Sequence, residues 1–425
     1  MDASRLTLRC AGCGRAYSGP RLHCDDCSGL LRSEYPVGFA PADRRDIFAF
    51  GEWLPSSSAL DTPVGPVVYR SERLAAHLGM SDLAIGFNGY APEIGAENPT
   101  GSFKDFEALP TLLYLREHGV MSIVLASAGN TARAFAHAAT RLGFRVILVA
   151  PDRVLDRLWL PIPPSDDVRL VAIEGSDDYA VAIEAAGLIS RILSIEPEGG
   201  ARNVARRDGM GTAMLAYARE IGELPDHYVQ AIGSGTGGIA AWEASQRLIN
   251  AGVGQALPRL HLAQNAPFTP IHDAWTHAMP IPTDADGEEI VVRQLEQIRR
   301  IDAVVLANRT PPYAIPGGVC DALAATSGTT YAATNAEARE AAALFERTEG
   351  LPIGPASAVA TAALLQGLES GTIGRNYAVL LHITGNNELL VQRDHALRPI
   401  EPVARMAPER LDASSVMALR RALVD

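Results

Sequence analysis

The chain has a single lysine, Lys104; the other 36 of its 37 Lys and Arg residues are arginine. A solvated surface cation can be arginine or lysine at little cost. An amine that must lose its proton and attack a carbonyl cannot be arginine, because guanidinium stays charged above pH ~12. The one retained lysine is therefore the first candidate for chemistry. It stands in Asn98-Pro-Thr-Gly-Ser-Phe-Lys104-Asp105. The breakers before it, and the Phe-Glu-Ala-Leu run after Asp105, predict a loop-to-helix junction. A nucleophilic lysine needs such fixing, and needs freedom from carboxylates that would raise its pKa. Asp105 is adjacent in sequence, but neighbours on a helix point in different directions.

Two more loops carry small polar residues between a strand and a helix. Ser127-Ala128-Gly129-Asn130-Thr131 places backbone N–H groups and two hydroxyls at a helix N-terminus, a cradle for a carboxylate. Gly233-Ser234-Gly235-Thr236-Gly237-Gly238 lets the backbone approach a phosphate. It lacks the Gly-x-Gly-x-x-Gly spacing of a dinucleotide loop. Cys10-Ala-Gly-Cys13 and Cys24-Asp-Asp-Cys27 present four thiolates, the donor set of structural zinc. A closed four-sulfur site does no catalysis, and so short a segment needs metal to fold. Cys320 stands alone and is expected to be small and buried. His137 and His382 are expected to be structural, and His261, His272 and His277 show no metal spacing.

These loops need a scaffold. Ser122–Ala126, residues 144–150, Val168–Ile173, 227–232, 259–264 and 377–383 are short and apolar throughout. Helical segments over 130–142, 177–195 and 239–251 separate them. That alternation predicts parallel sheets covered on both faces. Proline-rich 265–315 reads as loops with one helix near 289–300, and the tail beyond about 400 as peripheral.

Composition narrows the class. The chain has 425 residues, 47% hydrophobic and 20% charged, and a formal charge of −12. This excludes wholesale disorder and argues against nucleic acid or a membrane as the main partner. Five cysteines are too few for a disulfide scaffold. No apolar run would span a bilayer, and no leader is visible, so a cytoplasmic protein is expected.

The order of the loops, closed by Thr384-Gly-Asn-Asn387 after the last strand, resembles the fold-type-II pyridoxal-phosphate enzymes, and the threonine synthase family above all. Pro-Thr-Gly-Ser-Phe-Lys-Asp is similar to the family's cofactor-lysine motif. Asn203-Val-Ala-Arg206 is similar to its Asn-x-Ala-Arg segment, and some members carry a Cys-x-x-Cys ribbon. Phe87-Asn-Gly-Tyr-Ala-Pro-Glu and the Ser127–Ala136 run look more like the cysteate synthases, and the Phe-Glu-Ala-Leu after Asp105 departs from the usual threonine synthase continuation.

The resemblance implies a tryptophan synthase β-like α/β fold of two parallel or mixed-sheet domains plus an N-terminal zinc ribbon. Its divisions would be 1–33 for the ribbon, 34–104 and 201–425 for a large domain, and 105–200 for a small one. Lys104 would carry the cofactor and the proton, and Asn130 would meet the cofactor's 3-oxygen. Gly233 to Gly238, with Ser234 and Thr236, would hold its phosphate, and Thr384 its ring nitrogen. Ser127, Ala128, Gly129 and Thr131 would bind the substrate carboxylate, Arg133 and Arg206 the phosphate or sulfite, and Asn203 would bind the substrate. The implied reaction is β-replacement of O-phospho-L-serine by sulfite, through an aminoacrylate, to give L-cysteate and phosphate. A threonine synthase acting on O-phosphohomoserine, or another nucleophile on phosphoserine, stays open, as does a non-catalytic binding protein. A homodimer is the family's usual state.

Overall fold

A computed structural model of the chain describes residues 5–127, 129–176 and 178–424. Near the N-terminus three short strands, Thr7–Cys10, Ala16–Tyr17 and Leu31–Glu34, form an antiparallel ribbon. Six strands form the larger sheet, in the order 329–333, 259–265, 227–231, 378–383, 82–87, 67–70. All neighbours are parallel except the edge strand Val67–Arg70. The smaller sheet is wholly parallel, in the order 196–197, 122–126, 145–151, 168–173, 402–406.

The helices that matter for the site are α1 (Asp105–Glu117), α2 (Asn130–Leu142), α3 (Tyr179–Leu193), α4 (Val204–Ile221), α5 (Thr236–Asn250), α6 (Pro355–Glu369) and α7 (Ala413–Val424). Both sheets are covered on both faces, so their strands alternate between two cores rather than between core and water. In the larger sheet Val379, Leu381 and Ile383 face α6, and Leu380 faces the core with Trp242 of α5 and Leu215 of α4. In the smaller sheet Ile123, Leu125, Val146 and Leu148 face Phe135 of α2 and Phe106 of α1. Val124, Ile147 and Val149 turn the other way, onto Ala182, Ala185 and Ile189 of α3.

The tail differs from its expected peripheral place. Pro402–Met406 pairs with Val168–Ile173 as the fifth strand of the smaller sheet, and α7 buries Val416 and Leu423 in the core under α3. Its first four residues alternate between half-buried and exposed and only Met406 is buried, so no apolar run announces it. The loop-rich stretch also holds a second helix, Pro270–His277. Among the described residues no helix is long and apolar enough to cross a membrane.

Candidate active site

Loops from both sheets enclose a cavity of about 560 Å³ whose lining includes Lys104, Ser127, Gly129, Asn130, Thr131 and Thr384. Lys104 immediately precedes α1. Asp105 turns back into the loop and accepts hydrogen bonds from the Thr100 N–H and hydroxyl, both at 3.0 Å. The lysine loop is clamped to the segment after the last strand. The Phe103 N–H donates to the Thr384 carbonyl at 2.9 Å, and the N–H groups of Asn386 and Asn387 donate to Gly101 O at 3.0 and 2.9 Å. Gly101 has φ +66°, and a Cβ there would lie 1.9 Å from the Asn387 carbonyl. Only glycine fits that approach.

The amine is not free of carboxylates, contrary to the sequence expectation. Glu107, three residues along α1 and fully buried, places Oε2 3.3 Å from Lys104 Nζ. Residues at i and i+3 share a helix face. Glu107 Oε2 also lies 2.9 Å from Arg206 Nε, and Arg206 Nη1 is 2.9 Å from Glu198 Oε2. Burial holds the Lys104 ammonium below its ordinary pKa, with Glu107 opposing the shift and Arg206 adding to it. Burial likewise raises Glu198.

Both strand-to-helix loops contribute to the cavity lining. Ser127 Oγ accepts from the Ala132 N–H at 3.0 Å, leaving its own proton to donate. Ala128 lies outside the described residues. Gly233, Ser234, Gly235, Thr236 and Gly237 line the cavity at the N-terminus of α5. Gly238 does not; it is buried within α5, where a Cβ would press on Leu262 at 3.0 Å. Gly235 has φ +79°, and a Cβ there would lie 2.3 Å from Val319. At Gly237 the clash would be with Gln230, also at 2.3 Å. Bare backbone at a helix start, flanked by the Ser234 and Thr236 hydroxyls 2.7 Å apart, suits a phosphate. Thr384 Oγ1 lies 3.5 Å from Ser357 Oγ, which itself contacts Gly385 O at 2.7 Å.

Of Arg133, Asn203 and Arg206, only Arg206 lines the cavity. Arg133 is buried beside Trp159, its guanidinium 4.3 Å from that ring, and donates to Arg157 O at 3.0 Å and to Asn130 Oδ1. It orients Asn130 rather than facing the cavity. Asn203 caps α4, accepting from the Ala205 and Arg206 N–H groups at 3.0 and 3.3 Å. It thereby aims Arg206. Four further arginines line the cavity: Arg153 and Arg157 from the short 3-10 helix Asp152–Arg157, together with Arg299 and Arg309. No motif marks them among 36 arginines. Asp178, 3.2 Å from Arg309, is the only carboxylate in the lining among the described residues. Glu107 had a readable signal, a carboxylate at i+3 on a helix starting at the lysine.

Away from the cavity, the sulfurs of Cys10, Cys13, Cys24 and Cys27 lie within 4.8 Å of one another. Thiolates about 2.3 Å from a tetrahedral Zn²⁺ sit roughly 3.8 Å apart. The 3.4 Å separations of the Cys10–Cys27 and Cys13–Cys24 pairs fit that ion after slight expansion. The ribbon braces the start of α4: Arg202 donates to Ser28 O at 3.2 Å, and Ser33 and Tyr35 donate to Asp208 at 2.7 Å. His272, Asp273 and His277 also bring ligand atoms within 4.8 Å, which their spacing did not suggest. Cys320 is half-buried rather than buried. His137 and His382 are buried, with pKa values lowered by that burial to about 4 and about 3.

Comparison with known proteins agrees with this arrangement. The profile of the family described as "Pyridoxal-phosphate dependent enzyme" matches residues 96–385. A cysteate synthase of Methanosarcina acetivorans is 46% identical over 94% of this chain and 96% of its own length. One from Methanocella arvoryzae is 47% identical over 90% of this chain and 91% of its own. Maize serine racemase shares the fold at 15% identity, with a TM-score of 0.56 over 76% of this chain and 88% of that one. The processed form of threonine deaminase isoform 2 from Solanum lycopersicum does so at 16% identity, with a TM-score of 0.55 over 77% and 86%. With the lysine loop, the glycine cradle and the hydroxyl of Thr384 around one cavity, the chain belongs to the pyridoxal-phosphate-dependent enzymes, in the family that includes the cysteate synthases.

Proposed function

We propose that the enzyme replaces the phosphate of O-phospho-L-serine with sulfite, giving L-cysteate and phosphate. The carrying observation is the charge of the cavity: a lysine and five arginines line it, against Asp178 in the described lining and the buried Glu107 and Glu198 behind Lys104 and Arg206, in a chain whose net charge is −12. Such a lining favours small polyanions. Phosphoserine and sulfite are both of that kind, and relatives sharing nearly half the sequence carry the name cysteate synthase.

Pyridoxal phosphate, when bound, supplies an electron sink for charge developing at the substrate α-carbon. Gly233 to Gly237 with Ser234 and Thr236 are the residues to hold its phosphate, Asn130 its 3-oxygen and Thr384 its ring nitrogen. A hydroxyl partner leaves that nitrogen uncharged, which suits elimination from the β-carbon. The N-terminus of α2, with Ser127 and Thr131, holds the substrate carboxylate. Arg206, fixed between Glu107 and Glu198, meets the leaving phosphate and then the sulfite. Lys104 Nζ takes the α-proton; phosphate departs, the sulfur of sulfite bonds to the β-carbon, and Nζ returns the proton.

Phosphate release from O-phosphoserine and from O-phosphohomoserine, each with and without sulfite, tests this, with products identified by mass. Cysteate from phosphoserine plus sulfite alone is expected. Threonine from phosphohomoserine would replace this reading with threonine synthase. A homodimer is the proposed assembly, to be read by sedimentation.

A further inference from the structure

We propose that Glu107 is the counter-ion of the proton-carrying form of Lys104, a positioning residue that governs when the amine is charged. This rests on the reading of Lys104 as the lysine that carries the cofactor and the α-proton. The Glu107 carboxylate has no solvent exposure, and its Oε2 bridges Lys104 Nζ at 3.3 Å and Arg206 Nε at 2.9 Å. Its Oε1 is buried with no hydrogen-bond partner among the described residues. A purely structural partner for Arg206 would not need this arrangement, because Glu198 already meets that guanidinium at 2.9 Å. An unsatisfied buried carboxylate oxygen is costly, and the other oxygen of the same group, Oε2, contacts the one side-chain amine, whose bonding changes during turnover.

The other groups facing the amine do not serve. Asp105, on α1, is committed to Thr100. His382, on strand Ala378–Ile383, is held neutral by burial and by Lys104. Tyr179 of α3 has its phenol pushed up to about 12, chiefly by burial, and stays protonated. Arg206 of α4 repels an ammonium, and Glu198 is bound to Arg206. Glu107 is thus the anion in contact with Nζ among the described residues.

Its part in turnover follows. When Nζ takes the α-proton, the C–H bond breaks, an N–H bond forms and the electron pair stays with the substrate. That pair then drives the departure of phosphate from the β-carbon. Nζ is now an ammonium in a pocket that it shares with Arg206. Glu107 offsets this charge until sulfite has added and the proton has returned to the α-carbon, which leaves Nζ neutral.

Because the chain has one lysine, biosynthetic labelling with lysine carrying ¹³C at Cε gives one side-chain signal that needs no assignment. The full-length protein, stripped of cofactor, is titrated as wild type, Glu107→Gln and Glu107→Asp. The signal's midpoint is expected to fall by about 1–3 pH units in Glu107→Gln, the usual effect of a nearby opposite charge. Glu107→Asp, which keeps the anion beside Arg206 but draws it back from Nζ, should fall between. The pH–rate profile of the cofactor-loaded variants should move in the same direction. An unchanged midpoint in folded Glu107→Gln overturns the proposal. If that variant does not fold, an unchanged midpoint in Glu107→Asp does so. A visible band with pyridoxal phosphate that persists in Lys104→Ala would instead refute the underlying reading of the lysine. A band lost in Lys104→Ala, with unmoved titrations, would sink only the role of Glu107.

Discussion

Gly235→Ala tests the proposed phosphate cradle separately from the rest of the site. The glycine has φ +79°, and a Cβ added to it would lie 2.3 Å from Val319 Cγ2. A left-handed backbone costs a non-glycine residue about 1–2 kcal/mol. Forcing a methyl into a filled space costs roughly 1–3 kcal/mol more. If the loop escapes both by leaving its cradle shape, the loss falls on cofactor binding. A combined cost near 3 kcal/mol corresponds to a roughly 100-fold weaker affinity, at about 1.4 kcal/mol per decade. Equilibrium titration with pyridoxal phosphate, followed by its visible band, reads the affinity. Thermal melting without cofactor reads how much of the cost stays in the fold. Val319→Ala in the same chain should return the packing share and leave the backbone share. Wild-type affinity together with an unchanged melting temperature in Gly235→Ala would refute the cradle assignment.

Borohydride reduction of the cofactor-loaded enzyme followed by digestion should yield one pyridoxyl peptide, containing residue 104; Lys104→Ala should give none and lower kcat by at least roughly 100-fold. Cys24→Ser should abolish zinc binding, measured as metal per chain, and lower the melting temperature by loosening the ribbon from α4. Arg133→Lys should lose the planar contact with Trp159 and the hold on Asn130, lowering kcat several-fold while the protein still takes up cofactor. Asp105 has its pKa raised from 3.8 to about 7, chiefly by burial. The folded state therefore binds more protons than the unfolded one between those values, and this group's contribution to stability falls as pH rises through the window. Asp105→Asn should flatten that part of the pH dependence in denaturant unfolding at pH 5 and pH 7.

The strands fully buried in a two-sided sheet were legible because each is a short apolar run. Ser122–Ala126 and Val168–Ile173 begin and end where their composition says. The loops of the site were legible because close backbone approach restricts residue type. Thr329–Ala333 gives no comparable signal, since Thr-Thr-Tyr-Ala-Ala joins the sheet through its backbone and neighbouring strands rather than by an apolar run. The arginines at the cavity were illegible for another reason: their function lies in position, and composition spreads the same side chain over the whole surface. Arg133 shows the reverse error. It sits one turn into the right helix, but its side chain is directed by Trp159 and Asn130, which no local pattern specifies.

The strand Pro402–Met406 also fixes an order of events. Four strands of the smaller sheet are made by residue 197, yet the fifth is synthesised some two hundred residues later. A growing chain therefore exposes the open edge of Val168–Ile173, and the apolar face of α3 that α7 later covers, until residues 402–424 emerge. Unpaired edges invite pairing with other chains. The smaller sheet behind Ser127, Gly129, Asn130 and Thr131 is thus completed only once residues 402–424 are made, and a chain clipped near residue 400 keeps every described residue of the cavity while losing the strand and helix that close this sheet.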